Sequence, residues 1–159
     1  AKTPDEAIAV YYRNLDPDHY VISKPPPAPM NTPHPPRASI FEIVDAHAID
    51  STDEPDDFYY HITSRPQTVR RHGLRPNQRP NMRSGFYRDY SIGKVFFCDR
   101  PGVPYWLERI AHHLQDRYDQ PPKLAVLRFP KSAVSDVQPD ELGSRDSREP
   151  AYFVTHGIR

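Results

Sequence analysis

The sequence predicts an α+β domain on three observations. Runs rich in aromatic and β-branched residues recur at 58–62, 94–98, 123–129 and 151–154, which marks strands. Between the second and third runs, Val103, Trp106, Leu107, Ile110 and Leu114 share one face at helical spacing. Thr3-Pro4-Asp5-Glu6 and Ser64-Arg65-Pro66-Gln67 both carry the hydroxyl-x-x-Glu/Gln pattern of a capped helix start.

At 159 residues the chain fits one domain with a real core. Its hydrophobic fraction is 36% and it holds 20 prolines, so part of it runs extended instead of packing. The apolar strength lies after residue 58. This divides the chain into 1–57, an N-terminal helix, proline-rich connector and acidic loop, and a core at 58–159. Zero net charge argues against generic nucleic-acid or membrane affinity of the whole molecule. The single cysteine, Cys98, excludes an internal disulfide and a multi-cysteine zinc site, and beside Phe96-Phe97 it reads as a buried thiol. No apolar run approaches the roughly 20 residues that span a bilayer, and no signal-peptide core opens the chain. A soluble fragment is expected, carried by a larger effector if the chain is an excised part.

In order, Thr3 as N-cap and Ile8, Tyr11, Tyr12 and Leu15 on one face predict a short helix ending before Asp16-Pro17. A brief strand at 19–23 follows, then a polyproline-like connector at 24–37 with seven prolines. Residues 39–44 alternate as a strand, and 45–57 forms an acidic segment. After the strand at 58–62, the Ser64 box predicts a helix to His72, stopped by Gly73 in the left-handed conformation. From Phe58 through Arg88 there is no acid, yet Arg65, Arg70, Arg71, Arg75, Arg79, Arg83 and Arg88 make seven arginines. Such a patch binds phosphates through bidentate hydrogen bonds, or else neutralises the acidic segment before it. Asp99 is the expected N-cap, with Pro101 in the first turn, of a helix running to about Tyr118. Residues 132–148 read mostly as loop, with Glu149 at the mouth of the last strand.

His61, Tyr105 and Glu149 all sit at strand ends or on the element after a strand, where sheets gather their sites. The order of two motifs adds to this. His61-Ile62-Thr63 closes a strand and leads into a short helix ending in Gly73-Leu74. Then Ser91-Ile92-Gly93-Lys94-Val95-Phe96-Phe97-Cys98-Asp99 leads into a second helix bearing Tyr105. Over about 58–159 this resembles the ADP-ribosyltransferases, in the diphtheria-toxin and poly(ADP-ribose) polymerase branch with its His-Tyr-Glu pattern.

The resemblance implies an ADP-ribosyltransferase-like fold of two packed, small, mostly antiparallel β-sheets flanked by short helices. It implies NAD as substrate and no metal. His61 would hydrogen-bond a ribose hydroxyl, the Ile62 backbone would hold the nicotinamide amide, and Thr63, Arg65 and Phe96 would complete the binding site. Tyr105 would stack on nicotinamide, with Trp106 as its rival. Glu149, with Glu141 nearby as the alternative, would be the catalytic carboxylate for an oxocarbenium-like transition state. Phe96 stands where the family often has a second tyrosine. The implied activity is mono-ADP-ribosyl transfer to a macromolecular acceptor, protein or nucleic acid, in the manner of a bacterial toxin effector domain with an immunity or antitoxin partner. NAD hydrolysis on the same site is an alternative. From a different class, a non-catalytic phosphate- or RNA-binding module would use the arginines alone.

Overall fold

β4 (Ala125–Pro130) is the strand around which the sheet is laid. Ala125, Val126 and Leu127 are all fully buried, as befits a strand covered on both faces, and this explains its unbroken apolar sequence. The computed structural model describes residues 38–49, 56–79 and 87–159. On one side β4 pairs antiparallel with β1 (Glu42–Val44), and on the other with β2 (Phe58–Thr63). β3 (Val95–Cys98), β5 (Gln138–Pro139) and β6 (Ala151–Val154) complete one six-stranded antiparallel sheet in the order β1-β4-β2-β3-β6-β5. The packed core reaches upstream of residue 58, through Phe41, Ile43, Ala46 and Ile49.

The helices are α1 (Pro66–His72), α2 (Val103–Arg117) and α3 (Glu141–Ser147), besides a single helical turn at Tyr87–Tyr90. Side-chain alternation splits the core into two layers. Tyr60, Ile62, Cys98 and Val126 point to one face, where Val103, Leu107 and Ala111 of α2 cover them. Phe97, Leu127, Phe129 and Val154 point to the other, under Val69 of α1 and Ile158. Tyr59 joins this second layer, its ring 4.6 Å from that of Phe97 and 5.2 Å from that of Tyr152.

Instead of the two packed sheets expected, the described residues form one sheet that parts in the middle. β2 and β4 pair along six positions and β3 and β6 along four, but β2 and β3 meet only at Tyr60 opposite Cys98. The halves β1-β4-β2 and β3-β6-β5 therefore diverge from one shared pair. Among the described residues, no helix is long and apolar enough to cross a membrane.

Local differences from the sequence expectation have identifiable causes. The N-cap of α1 is Arg65 rather than Ser64, and it makes no side-chain cap bond; Pro66 opens the helix and Thr63 Oγ1 accepts from the Arg65 N–H. Gly73 has φ of 78° with ψ of −176°, so the helix stop is a positive-φ residue that runs on extended instead of left-handed. A Cβ there would lie 2.2 Å from the Ile158 carbonyl oxygen, so only glycine lets Leu74 bridge to Ile158. Asp99 makes no capping bond; it accepts from the Tyr152 hydroxyl at 2.8 Å and pairs with Lys131 at 3.1 Å. The expected loop at 132–148 contains β5 and α3. The N-terminal helix, the strand at 19–23, the connector and most of the arginine loop lie outside the described residues.

Candidate functional site

A cavity of about 310 Å³ opens where β2 and β3 part, at the small end of the roughly 300–1,000 Å³ usual for small-molecule sites. His61 and Ile62 supply its β2 wall and Phe96 and Cys98 its β3 wall. From α2 come Trp106, Arg109, Ile110 and His113, whose i, i+3, i+4, i+7 spacing puts them on one helix face. Asp140 and Gly143 close one side, and Leu74, Arg75 and Asn77 another.

His61 is fixed by the parting of the strands. Its Nδ1 lies 2.7 Å from the Phe96 carbonyl oxygen. A carbonyl only accepts, so Nδ1 carries the proton and the neutral ring keeps Nε2 as an acceptor. Burial pushes the imidazole pKa below its ordinary value, against the opposing pull of the Phe96 carbonyl, which favours this neutral form. The histidine side chain thus spans the gap that the ladder leaves open and lines the cavity with a hydrogen-bond acceptor.

The remaining walls are aromatic with isolated polar atoms. Phe96 packs among Tyr90 and Phe153, with ring centroids 6.0 Å and 6.1 Å away. Lys94 sits over the Tyr90 ring, 3.7 Å from its centroid, and donates to the Tyr90 carbonyl at 2.7 Å. Trp106 Nε1 and His113 Nε2 are buried with no hydrogen-bond partner among the described residues. An unsatisfied buried polar group costs about 1–3 kcal/mol, a cost that a ligand reaching these atoms would remove.

Two carboxylates have different surroundings. Asp140 is 3% exposed and belongs to the cavity wall. Its Oδ1 accepts from the Gly143 N–H at 2.9 Å, capping α3, and from the Tyr90 hydroxyl at 2.9 Å. Glu149 lies outside the lining, beside the start of α2, where a Cβ on Gly102 would come within 3.6 Å of its own Cβ. Glu141 is exposed on the first turn of α3.

Of the residues expected from sequence, His61, Ile62 and Phe96 are brought together around the cavity. Tyr105 is outside the lining and its hydroxyl accepts from Arg109 at 2.8 Å; Trp106, whose ring stands 5.0 Å from it, takes the wall position. Thr63 is spent on the Arg65 backbone and Arg65 is exposed, neither in the lining. Burial first, then the charge of Asp99, raises the Cys98 thiol pKa far above its ordinary value, so this wall residue is a neutral packing group. Among the described residues no group of three or more His, Cys, Asp or Glu side chains is placed to hold a metal ion. Asp140 and His113 are among the wall residues that sequence reasoning passed over. The i+7 relation of His113 to Trp106 was a legible signal for one, and the Asp-x-x-Gly cap for the other. No family model, curated protein or solved structure matches the chain.

Proposed function

We propose that the cleft binds the nicotinamide riboside half of NAD, and that the protein is an NAD-dependent mono-ADP-ribosyltransferase. The observation that carries this reading is the His61–Phe96 hydrogen bond across the parted strands. It supplies an oriented acceptor for a ribose hydroxyl at the place where β2 and β3 part. Phe96 and Trp106 offer flat apolar surface for the nicotinamide ring, and Ile62 is in the wall where its backbone can meet the carboxamide. Arg75 lines the cavity and is exposed to solvent, which suits a pyrophosphate leaving the cleft.

In this reaction the bond from ribose C1′ to the nicotinamide nitrogen breaks, and nicotinamide leaves with the electron pair. The acceptor's nucleophile bonds to C1′ and loses its proton. The positive charge that develops on the ribose is stabilised by a carboxylate fixed nearby. By cavity placement that carboxylate is Asp140; Glu149 takes the role only if NAD binding draws it into the cleft. Water as acceptor turns the same steps into NAD hydrolysis. A toxin setting, with an immunity protein as partner, rests on the family resemblance alone.

The test is release of nicotinamide from NAD, followed by chromatography, with protein, RNA, DNA and water offered as acceptors. Wild-type protein should release nicotinamide and gain melting temperature with NAD, and His61→Ala should lose both. No release with any acceptor, together with no NAD-dependent rise in melting temperature, would sink the reading.

A further inference from the structure

We infer that the arginine-bearing surface along α1 and the segment behind it binds a single-stranded nucleic acid and delivers it to the cleft as the acceptor. The acceptor role rests on the transferase reading above; the binding surface does not.

Arg65, Arg71, Arg75 and Arg79 are exposed and Arg70 is half-buried. Among the described residues none of the five pairs with a carboxylate. Of the described acids upstream, Glu42, Asp45 and Asp56 are engaged elsewhere, Glu42 with Arg128, and Asp57 stands exposed with no arginine of the row on it. Asp45 caps its own turn through the His47 N–H, and Asp56 accepts from the Tyr60 hydroxyl at 2.5 Å and pairs with Arg100 at 3.8 Å. Charge that no described carboxylate neutralises is available to an anionic partner.

The row is anchored and reaches the cleft. Leu74 and Ile158 exchange backbone hydrogen bonds at 2.8 Å and 2.9 Å. Three residues on, Asn77 donates its N–H to the Lys94 carbonyl and accepts from the Gly93 N–H. Arg75 is held between these two fixed points, at once in the cavity wall and open to solvent. From there exposed arginines continue to Arg71 and to Arg65 at the N-cap of α1, a seven-residue helix about 10 Å long, with Arg65 and Arg71 about 120° apart around its axis. One pyrophosphate at Arg75 occupies only the cleft end of such a row. A flexible chain of phosphates winding around α1 meets the further guanidinium forks one after another. A single strand is favoured because a base stacked in a duplex reaches a reaction centre inside a cleft only after unpairing and flipping out.

The test measures binding by fluorescence anisotropy without NAD, using labelled RNA and DNA oligonucleotides of about ten nucleotides, a length in the range that single-strand sites cover. Four exposed arginines predict a slope of log affinity against log salt of about −3, so fourfold more salt weakens binding roughly 50-fold. Arg71→Ala/Arg79→Ala, both surface changes, should reduce that slope by about 1.4. A duplex of the same sequence should compete poorly. With labelled NAD added, the label should move to the oligonucleotide and be lost to nuclease. The inference is overturned if no binding appears at low salt, if the double variant binds as wild type does, or if the label survives nuclease and falls to protease. His61→Ala should still bind the oligonucleotide. Binding without nicotinamide release from wild-type protein would retire the transferase reading and keep the surface.

Discussion

Replacing Asp140 tests the architecture of the cleft and its chemistry together. Asp140→Ala removes the cap acceptor of α3, a loss of about 0.5–2 kcal/mol, and deprives the Tyr90 hydroxyl of its acceptor, at about 1–3 kcal/mol. The combined cost is about 1.5–5 kcal/mol, which corresponds to a melting temperature lower by about 3–20 °C for a chain of 159 residues. Asp140→Asn keeps an oxygen where Oδ1 stands, so both bonds survive and the cost should stay near 1 kcal/mol. Urea denaturation of these two variants, with Tyr90→Phe completing a double-mutant cycle, should give a coupling of about 1–2 kcal/mol between Asp140 and Tyr90. Asn matching Ala in cost, or Ala costing under about 0.5 kcal/mol, refutes the reasoning, because the two hydrogen bonds would then carry no weight. In nicotinamide release, the folded Asp140→Asn variant should lose about 100-fold or more, the scale of removing one transition-state electrostatic partner. Glu149→Gln should lose much less. The reverse order would return the carboxylate's role to Glu149.

Gly73→Ala forces a side chain onto a positive-φ backbone with its Cβ 2.2 Å from the Ile158 oxygen, and should cost about 3 kcal/mol or more in chemical denaturation. Trp106→Phe deletes an unsatisfied buried N–H, so the free protein should be as stable as wild type or more so, while the NAD-induced rise in melting temperature shrinks. The two histidines give opposite pH trends. His61 titrates below its ordinary value in the folded protein, so below pH of about 6.5 the unfolded chain takes up a proton that the folded one resists, and stability falls with falling pH. His156 is raised, because Nδ1 and Nε2 lie 2.9 Å from the Gly157 and Ser135 carbonyls, a pairing that only the imidazolium satisfies. Its contribution is present below pH of about 6.5 and lost as pH rises through its folded value, and exposure keeps it small. Melting curves across this range should lose the high-pH decline in His156→Gln and keep the low-pH one.

How much of this was legible in the sequence depended on how local its cause was. The strands at 58–63, 95–98, 125–130 and 151–154 follow from aromatic and β-branched runs, and α2 from a five-residue apolar face. α3 offered no such pattern. Its only aliphatic residue is Leu142, and it carries Gly143, a poor helix former, at the third position. That glycine is required by contacts distant in sequence, since a Cβ would fall 2.2 Å from Asp140 Oδ2 and 2.9 Å from the Trp106 ring. Tyr105 and Trp106 show the same limit: adjacent helix positions differ by about 100°, and only the packing of α2 decides which ring faces the cleft.

The parting of the sheet links these cases. A side chain was assigned to His61 from sequence, but the gap it spans is a property of pairing. Tyr60 and Cys98 close one rung, and beyond it the Phe96 carbonyl, which a neighbouring strand would otherwise engage, turns to the imidazole. A buried carbonyl without a partner costs about 1–3 kcal/mol, so His61 stabilises the open arrangement as well as offering Nε2 to a ligand. The two roles separate by substitution. His61→Gln presents an amide N–H to the Phe96 carbonyl and should hold the fold, while its shorter reach and lost ring nitrogen weaken NAD binding. His61→Leu strands the carbonyl and should destabilise the sheet by about 1–3 kcal/mol. If both variants melt as wild type does, the Phe96 carbonyl has another partner and the histidine bridge is not what keeps the cleft open.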